Sequence, residues 1–195
     1  PVVSYTLPAG CFSIATMTVN ALPTVYIVTG GGAYCAGGTG VAIGVSSSNT
    51  GINYQLYRGT VAVGSPVSGS GSAISFGLQT VAGTYTVVAT NTTTGCFVGM
   101  AGSATVIINP LPFAYAVAGG GAYCAGGSGL NIRLVGSAAF GFTYQLYIGG
   151  TTPVGLPIAG TGVMLDFGLH TTAGTYTVVA TNTSTGCTNT MLGSA

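Results

Sequence analysis

The chain has 195 residues and is nearly uncharged, with two basic side chains, one acidic side chain, one His and 35 Gly. Nucleic-acid binding needs clustered Lys and Arg, and a calcium site needs several carboxylates, so this composition excludes both classes of function. Because no run of about 18 apolar residues occurs, we also expect no membrane-spanning helix.

Residues 1–23 belong to no complete repeat, and we predict that they form an extra N-terminal β segment. The stretch "PVVSYTLP" at 1–8 reads as a strand, and "IATMTVNALP" at 14–23 resembles "SATVIINPLP" at 103–112. This segment is therefore either a strand that completes another sandwich or the end of a preceding repeat.

The remainder of the chain is an internal duplication. "GGGAYCAGG" occurs at 30–38 and again at 119–127, and "GTYTVVATNTTTGC" at 83–96 recurs at 174–187 with one Thr-to-Ser change. Such self-similarity indicates two homologous modules. We place them at residues 24–112 and 113–195 and call them repeat one and repeat two.

Short β-rich stretches separated by Gly, Ser, Asn and Pro fill each repeat. In repeat one they are "TVYIV", "GVAIGV", "INYQLY", "TVAVG", "SAISF", "TYTVVATN" and "SATVIIN". No stretch has helical periodicity, and seven short strands in about 90 residues are typical of an immunoglobulin-like sandwich. The predicted fold is therefore all-β, with two tandem immunoglobulin-like modules.

The motif "AGTYTVV" is the usual setting of a tyrosine corner, in which a tyrosine hydroxyl bonds the backbone upstream of its strand. Two residues further on, a valine stands where antibody domains carry a core cysteine, and a leucine of "YQLY" takes the place of the core tryptophan. The residues on which we expect the fold to depend are Tyr85, Tyr176, Val87, Val178, Leu56 and Leu146.

The two repeats end differently. Repeat one continues from "GSA" at 102–104 into "TVIINPLP", whereas repeat two stops at "GSA" at 193–195 and so lacks its last strand. A sandwich without one strand exposes a hydrophobic groove and unpaired backbone groups. Two explanations stay open: residues 1–23 of a neighbouring copy complete repeat two, or the sequence is a window of a longer tandem array.

Five cysteines in a charge-poor chain indicate disulfides and an oxidising compartment. Equivalent positions in the repeats favour Cys35–Cys96 and Cys124–Cys187. In a plain immunoglobulin topology these turns lie at opposite ends of the sandwich, so bonds that cross the repeats, such as Cys35–Cys187, remain the alternative. Cys11 is left over and is a candidate for a bond to a neighbouring subunit.

The turn that follows the duplicated strand carries candidate glycosylation sites. Each copy contains an Asn-Thr-Thr or Asn-Thr-Ser acceptor triplet, and O-linked sugar on the hydroxyl side chains is an equally open hypothesis. The candidates are Asn91, Asn182, Thr92, Thr93, Thr94, Thr183, Ser184 and Thr185. A covering of sugar would also offset the poor solubility that low net charge brings.

No catalytic, metal-binding or cofactor-binding residue is predicted. Asp166 and His170 are the only acid–base candidates, and four residues apart on a strand they would stand roughly 13 Å apart. A single His cannot form a typical metal site with oxidised cysteines. Arg58 and Arg133 occupy unmatched positions of the repeats and are interpreted as solvated surface groups.

The pattern "YCAGG…YQLY…AGTYTVVATN…GC…SATVIINPLP" resembles the immunoglobulin-like tandem repeats of large secreted surface adhesins of Bacteroidota-type bacteria. That resemblance implies an extracellular or cell-surface location, a role in cell adhesion, biofilm or fibre building, and no catalytic residues.

The functional hypothesis is a non-enzymatic structural subunit of an extracellular bacterial filament or adhesin stalk. Its copies would join head to tail by strand donation, with covalent glycans as possible additions and with no cofactor. The alternative is a carbohydrate- or surface-binding adhesin module taken from a long tandem-repeat protein. In that case the outward aromatic faces of Tyr57 and Tyr147 would stack on sugar.

Overall fold

The computed structural model describes residues 2–6 and 12–195. Within that part of the chain every regular element is a strand, and no helix is long and apolar enough to cross a membrane. The molecule divides into two compact units. Unit one comprises the described residues up to Tyr34 together with Thr39–Ile107, and unit two comprises Cys35–Gly38 and Ile108–Ala195.

The predicted N-terminal β segment contains a hairpin. Strands β1 (Val2–Thr6) and β2 (Phe12–Thr16) pair antiparallel with each other. They form a separate two-stranded sheet. The residues that follow, 17–26, belong to no strand.

Besides the β1–β2 hairpin, unit one contains two larger sheets. One has the order β4-β11-β9-β6-β7, with β10 also paired to β9, and the other has the order β3-β5-β8. The strands are β3 (Val28–Gly30), β4 (Gly32–Cys35), β5 (Val41–Val45), β6 (Ile52–Arg58), β7 (Val61–Ser68), β8 (Ile74–Gln79), β9 (Gly83–Asn91), β10 (Phe97–Gly99) and β11 (Ala104–Asn109).

Three consecutive glycines move the chain from one sheet of unit one to the other. Gly30, Gly31 and Gly32 have φ angles of 90°, 79° and 130°, a region that side chains disfavour. A Cβ atom on Gly30 would also lie 2.0 Å from the Ala42 carbonyl oxygen. The stretch "GGG" is therefore the crossing between β3 and β4, and it explains why the first strand of the repeat is short.

Unit two repeats this plan with fewer strands. Its sheets have the orders β15-β14-β17-β18 and β12-β13-β16. The strands are β12 (Val117–Gly119), β13 (Leu130–Leu134), β14 (Phe142–Ile148), β15 (Thr152–Ala159), β16 (Leu165–His170), β17 (Tyr176–Asn182) and β18 (Thr188–Thr190).

Each unit encloses its own apolar core between its two sheets. In unit one Ile43 and Val45 of the smaller sheet pack with Leu56 and Val87 of the larger one. Leu56 lies directly opposite Val87 on paired strands. Leu146 lies opposite Val178 in the same way in unit two. Both units are immunoglobulin-like β-sandwiches, so the predicted all-β fold is confirmed.

Hydrogen-bonded tyrosines brace both cores. The Tyr85 hydroxyl donates to the Val81 carbonyl at 2.7 Å, and the Tyr176 hydroxyl donates to the Thr172 carbonyl at 2.8 Å, which is tyrosine-corner geometry. The sequence analysis did not anticipate a second braced position, Tyr144, which is fully buried. Its hydroxyl accepts the Ala138 N–H at 2.8 Å. Burial raises the pKa of this tyrosine.

The predicted strands differ from the observed ones mainly near the Gly-rich turns. The stretch "TVYIV" is predicted as a strand, but β3 begins only at its last residue, Val28, after an isolated bridge between Ile27 and Ala101. Strands β4 and β10 are not anticipated by the hydrophobic pattern, because each has only three or four residues. The alternation of apolar and polar residues that marks a strand can be recognised only over a run longer than three or four residues.

Replacing the buried leucine of β6 tests the aliphatic core. Leu56→Ala removes a fully buried side chain, so we expect the free energy of unfolding of unit one to fall by about 2–5 kcal/mol. Guanidinium titration followed by circular dichroism measures this change. Val61→Ala, at an exposed position of β7, is the control and should shift the transition by less than about 0.5 kcal/mol.

Candidate functional site

The duplicated segment "TNTTTGC" forms a turn in which its polar side chains bond the backbone. In unit one the Asn91 side-chain oxygen accepts the N–H groups of Thr93 and Thr94 at 2.9 and 3.1 Å. The Thr92 hydroxyl donates to the Gly51 carbonyl at 3.0 Å. These bonds are typical of an Asx turn. They give the repeated polar residues a structural role.

Unit two uses the same bonds. Asn182 accepts from Ser184 and Thr185 at 2.9 and 3.2 Å, and the Thr183 hydroxyl donates to Gly141 at 3.1 Å. The turn side chains after each Asn are exposed in both units. They are accessible to modification, and glycosylation of these residues stays a prediction.

The two acid–base candidates, Asp166 and His170, make contacts with different groups. Asp166 accepts the Gly168 N–H at 2.8 Å and the Asn131 side-chain N–H at 3.0 Å. Arg133 lies 3.5 Å from the same carboxylate, and both side chains are about half exposed, so this arginine is a surface group that also has an ion-pair partner. His170 instead contacts the Phe167 carbonyl at 3.1 Å.

The matching residue of repeat one, Ser75, explains the role of Asp166. The matching Ser75 hydroxyl accepts the Gly77 N–H at 3.1 Å, just as Asp166 accepts from Gly168. Both side chains therefore serve a backbone turn within a strand. Among the described residues, no group of three or more His, Cys, Asp or Glu side chains could hold a metal ion.

The cysteine pairing differs from the favoured prediction. Cys35 is bonded to Cys187, with a Cα–Cα distance of 5.5 Å, whereas Cys96 and Cys124 have free thiols. The within-repeat pairs Cys35–Cys96 and Cys124–Cys187 are thus wrong, and the bond that crosses the repeats is present. Cys11 lies outside the described residues.

Strand direction explains the pairing. The Ala36 N–H donates to the Asn109 carbonyl at 2.9 Å, so Cys35 lies at the far end of β11. Strand β11 pairs with the first residues of β9, whereas Cys96 follows the last residues of β9. A strand of nine residues spans roughly 30 Å. That distance is several times what a disulfide can bridge.

The open edge of unit two is best understood from unit one. There, β11 pairs with the start of β9, and Val106 lies opposite Gly83. Val106 is only 1% exposed and belongs to the core. Strand β4 flanks β11 on its other side. The β11 strand therefore closes the sandwich and satisfies the backbone of two neighbouring strands.

Unit two has only the first residue of that strand among its described residues. Ala195 exchanges two backbone hydrogen bonds with Tyr176, at 2.8 and 3.0 Å, and so takes the place of Ala104. Gly174 and Thr175, which match the paired start of β9, belong to no strand, and β17 begins only at Tyr176. The residues that match β4 are also outside any strand.

A cleft of about 310 Å³ lies in unit two at the position that β11 takes in unit one. Its floor consists of core side chains, and its rim consists of the Gly-rich turn and the start of the tyrosine corner. The lining residues that matter here are Gly121, Tyr123, Leu130, Ile132, Gly174 and Tyr176. All of them belong to unit two. Their counterparts in unit one surround β11.

The walls of this cleft keep the geometry that they have in unit one. The Tyr123 hydroxyl donates to the Thr171 carbonyl, as the Tyr34 hydroxyl does to Thr80. Tyr123 is nevertheless 40% exposed, whereas Tyr34 is partly buried against the core. The cleft is therefore formed without an occupant. The sequence analysis predicted the groove but did not name Tyr123 as part of it. The occurrence of this tyrosine in both copies of "AYCAGG" could have indicated it.

The tyrosines suggested for sugar stacking are less accessible than expected. Tyr57 and Tyr147 are both half-buried, on β6 and β14. Tyr57 lies between Ala62 and Thr86 on the adjacent strands. These tyrosines are partly covered by residues of the adjacent strands.

Comparisons with known proteins concern the fold. A scan against protein-family models found no match, and a search of curated proteins found none either. Among solved structures, the human OSCAR ligand-binding domain is 13% identical, with a TM-score of 0.35, over 82% of this chain and 90% of that one.

Two further solved structures give similar values. The fibronectin(III)-like modules of Clostridium thermocellum CbhA are 13% identical, with a TM-score of 0.38, over 85% of this chain and 92% of that one. A cytokine receptor complex is also 13% identical, with a TM-score of 0.25, over 71% and 76%. At TM-scores below 0.5, these likenesses say nothing of what the chain binds.

The carboxylate of Asp166 offers a pH test. The Gly168 N–H bond, and then the Asn131 bond, hold the pKa of Asp166 below its usual value. Because the pKa of Asp166 is lowered in the folded state, the ionised carboxylate stabilises the fold above the usual carboxyl pKa of about 4. This stabilisation is lost as the pH falls from that value through the lowered pKa. An NMR titration should give a midpoint below that of an unstructured Asp peptide. Asn131→Ala should raise it, and an unchanged midpoint would contradict this account.

Removing the disulfide tests the corrected pairing. Cys35→Ser opens a cross-link with a sequence separation of 152, so we expect the free energy of unfolding of unit two to fall by about 2–5 kcal/mol. Guanidinium titration of dilute protein measures it. Cys124→Ser, which removes a free thiol at the matching position, is the control and should leave the midpoint unchanged. Equal losses from both variants would show that the bond is elsewhere.

Proposed function

We propose that this protein is a structural subunit of an extracellular bacterial filament or adhesin stalk, whose copies join head to tail by strand donation. The cleft of unit two, which stands where β11 lies in unit one, is the observation that carries this proposal. Its walls are in place, its floor consists of core side chains, and Gly174, which matches the paired Gly83 of unit one, belongs to no strand.

The donor is taken from residues 15–23 of a second copy, and its residues 16–23 would continue the strand of which the acceptor's Ala195 supplies the first residue. Its sequence, "ATMTVNALP", matches "ATVIINPLP" at 104–112, which contains β11, and Ala, Thr, Asn, Leu and Pro recur at corresponding positions. In this register Met17 takes the place of Val106, and Thr18 takes the place of the exposed Ile107. The donor thus offers an apolar side chain at the position where β11 buries one.

Most of this segment lies outside the sheets, and only Ala15 and Thr16 belong to a strand, β2. Residues 17–23 are in no strand. Met17, Val19 and Leu22 are exposed, Val19 at 84%. Large apolar side chains on an extended and unpaired segment are costly in water and favour burial in an apolar groove. The segment and the cleft are therefore complementary in both backbone and side chains.

Donation in this register is directional and does not close on itself. The donor leads into repeat one just as β11 leads into repeat two, so each copy can give a strand and receive one. A heterologous contact of this kind produces a filament. The chain is nearly neutral, so there is little electrostatic repulsion between copies, and this also favours assembly.

The remaining properties support a structural role outside the cell. A disulfide persists in oxidising compartments. The Asp166 and His170 side chains each have a structural contact, which supports a non-enzymatic function. Glycans on the exposed turn after Asn91 and Asn182 would project from such a fibre and add to its solubility.

Substitution of one donor residue tests the proposal. Met17→Asp places a carboxylate in the apolar cleft of the neighbour, so we expect head-to-tail assembly to weaken at least 100-fold. Light scattering after size exclusion and electron microscopy of the 195-residue chain measure assembly. Thr18→Asp, at the outward-facing position of the same strand, is the matched control and should assemble as the unmodified chain does.

Two outcomes would overturn the proposal. One is an unmodified chain that stays monomeric at every concentration, and the other is equal assembly of the Met17→Asp and Thr18→Asp variants. A synthetic peptide of residues 15–23 adds a direct measurement. It should bind a chain that lacks residues 1–23, and the Met17→Asp peptide should not.

A further inference from the structure

We infer that successive copies are also joined covalently, by a disulfide between Cys124 of one copy and Cys96 of the next. This inference rests on the proposed head-to-tail assembly and deepens it by naming a chemical bond at each junction. It arises from the internal repeat, because the two free cysteines are the counterparts of the two cysteines that are already bonded.

The bonded pair follows a rule that can be written in sequence terms. Cys35 belongs to the "YCAGG" motif of repeat one, and Cys187 belongs to the "TGC" motif of repeat two. The bond thus joins the first motif of one repeat to the second motif of the repeat that follows. Applied to the next junction, the same rule joins Cys124 of repeat two to Cys96 in repeat one of the following copy.

Both free cysteines are held in the local geometry of their bonded counterparts. The Asn91 N–H donates to the Cys96 carbonyl at 2.8 Å, and the Asn182 N–H donates to Cys187 at the same distance. The carbonyls of Cys35 and Cys124 accept the N–H groups of Gly38 and Gly127, at 2.9 and 3.0 Å. The turn beside each free cysteine therefore has the same backbone hydrogen bond as the turn beside its bonded counterpart.

The free members of each pair are also the more accessible ones. Cys187 is buried and Cys96 is half-buried, while Cys35 is half-buried and Cys124 is exposed. A partner in the assembled fibre would cover them to the degree seen for the bonded pair. Cys96 and Cys124 are not bonded to each other within one chain, so each thiol is available to a second copy.

Strand donation would bring these thiols into reach. In the existing bond, Cys35 lies beside the end of β11, and the chain then runs through Pro112, whose carbonyl accepts the Asn189 side-chain N–H at 2.8 Å close to Cys187. A donor at residues 15–23 ends in the matching Pro23 and leads into repeat one of its own copy. Val98 stands in repeat one where Asn189 stands in repeat two, so at this junction the disulfide would act without that hydrogen bond.

The bond requires an oxidant. The two thiols lose two protons and two electrons as the S–S bond forms, and a small-molecule disulfide accepts them and is cleaved to two thiols. Thiol–disulfide exchange of this kind proceeds through a mixed disulfide on one of the cysteines. The exposed Cys124 is the better placed of the two to react first.

A non-reducing gel of the 195-residue chain, incubated with oxidised and reduced glutathione, tests the inference. We expect a ladder of covalent oligomers and, by mass spectrometry, a cross-linked peptide containing Cys96 and Cys124. Cys96→Ser alone and Cys124→Ser alone should each abolish the ladder. An equimolar mixture of these two variants should stop at a covalent dimer, since only one productive pair remains.

Other cysteine pairings are distinguishable in the same experiment. A covalent dimer from Cys96→Ser alone would indicate a bond between two Cys124 residues or between Cys124 and Cys11, and either result would overturn the inference. Cys11→Ser should leave the ladder intact. The Met17→Asp variant should lose the ladder, because the thiols no longer meet, while Thr18→Asp should keep it.

Failure of this inference can be separated from failure of strand donation. The double variant Cys96→Ser, Cys124→Ser cannot form the bond but retains Cys35–Cys187 and the donor segment. If it assembles by light scattering while the unmodified chain gives no Cys96–Cys124 peptide, donation stands and the covalent junction is wrong. If neither protein assembles or cross-links, both proposals are wrong.

Discussion

An edge strand leaves a row of backbone N–H and C=O groups that need partners, and the two units meet this demand differently. In unit one, β11 pairs with the start of β9 and buries Val106 in the core. In unit two, Ala195 supplies the first bonds of that pairing, and a cleft with formed walls follows among the described residues. The proposed assembly, its direction and the junction between copies all depend on filling this one position.

Much of the fold could be predicted because the internal repeat gives the same strand pattern twice. The buried pairs Leu56 with Val87 and Leu146 with Val178 follow from strand alternation, which places the same face of each strand toward the core. The crossing at Gly30 could not be predicted in detail. A Gly-rich stretch indicates a turn, but which sheet the chain joins afterwards depends on contacts with distant strands.

The site shows the same division between local and distant information. The groove could be inferred by comparing the ends of the repeats, since that comparison needs only alignment. The partner of Cys35 could only be narrowed to two candidates, Cys96 and Cys187, because spacing favours equivalent positions while bonding depends on which end of the sandwich each turn occupies. The contact between Arg133 and Asp166 was missed for a related reason, as the two residues lie on paired strands far apart in sequence.

The Cys35–Cys187 bond has a mechanical consequence. When tension is applied to the two termini, the force passes from Cys35 to Cys187 through the sulfur atoms and bypasses the chain between them. A sequence separation of 152 residues, on the order of 500 Å of contour length, is thereby shielded from extension. Both sandwiches lie largely inside this bypassed loop, so a chain pulled from its two ends extends by far less than its full contour length while the disulfide is intact.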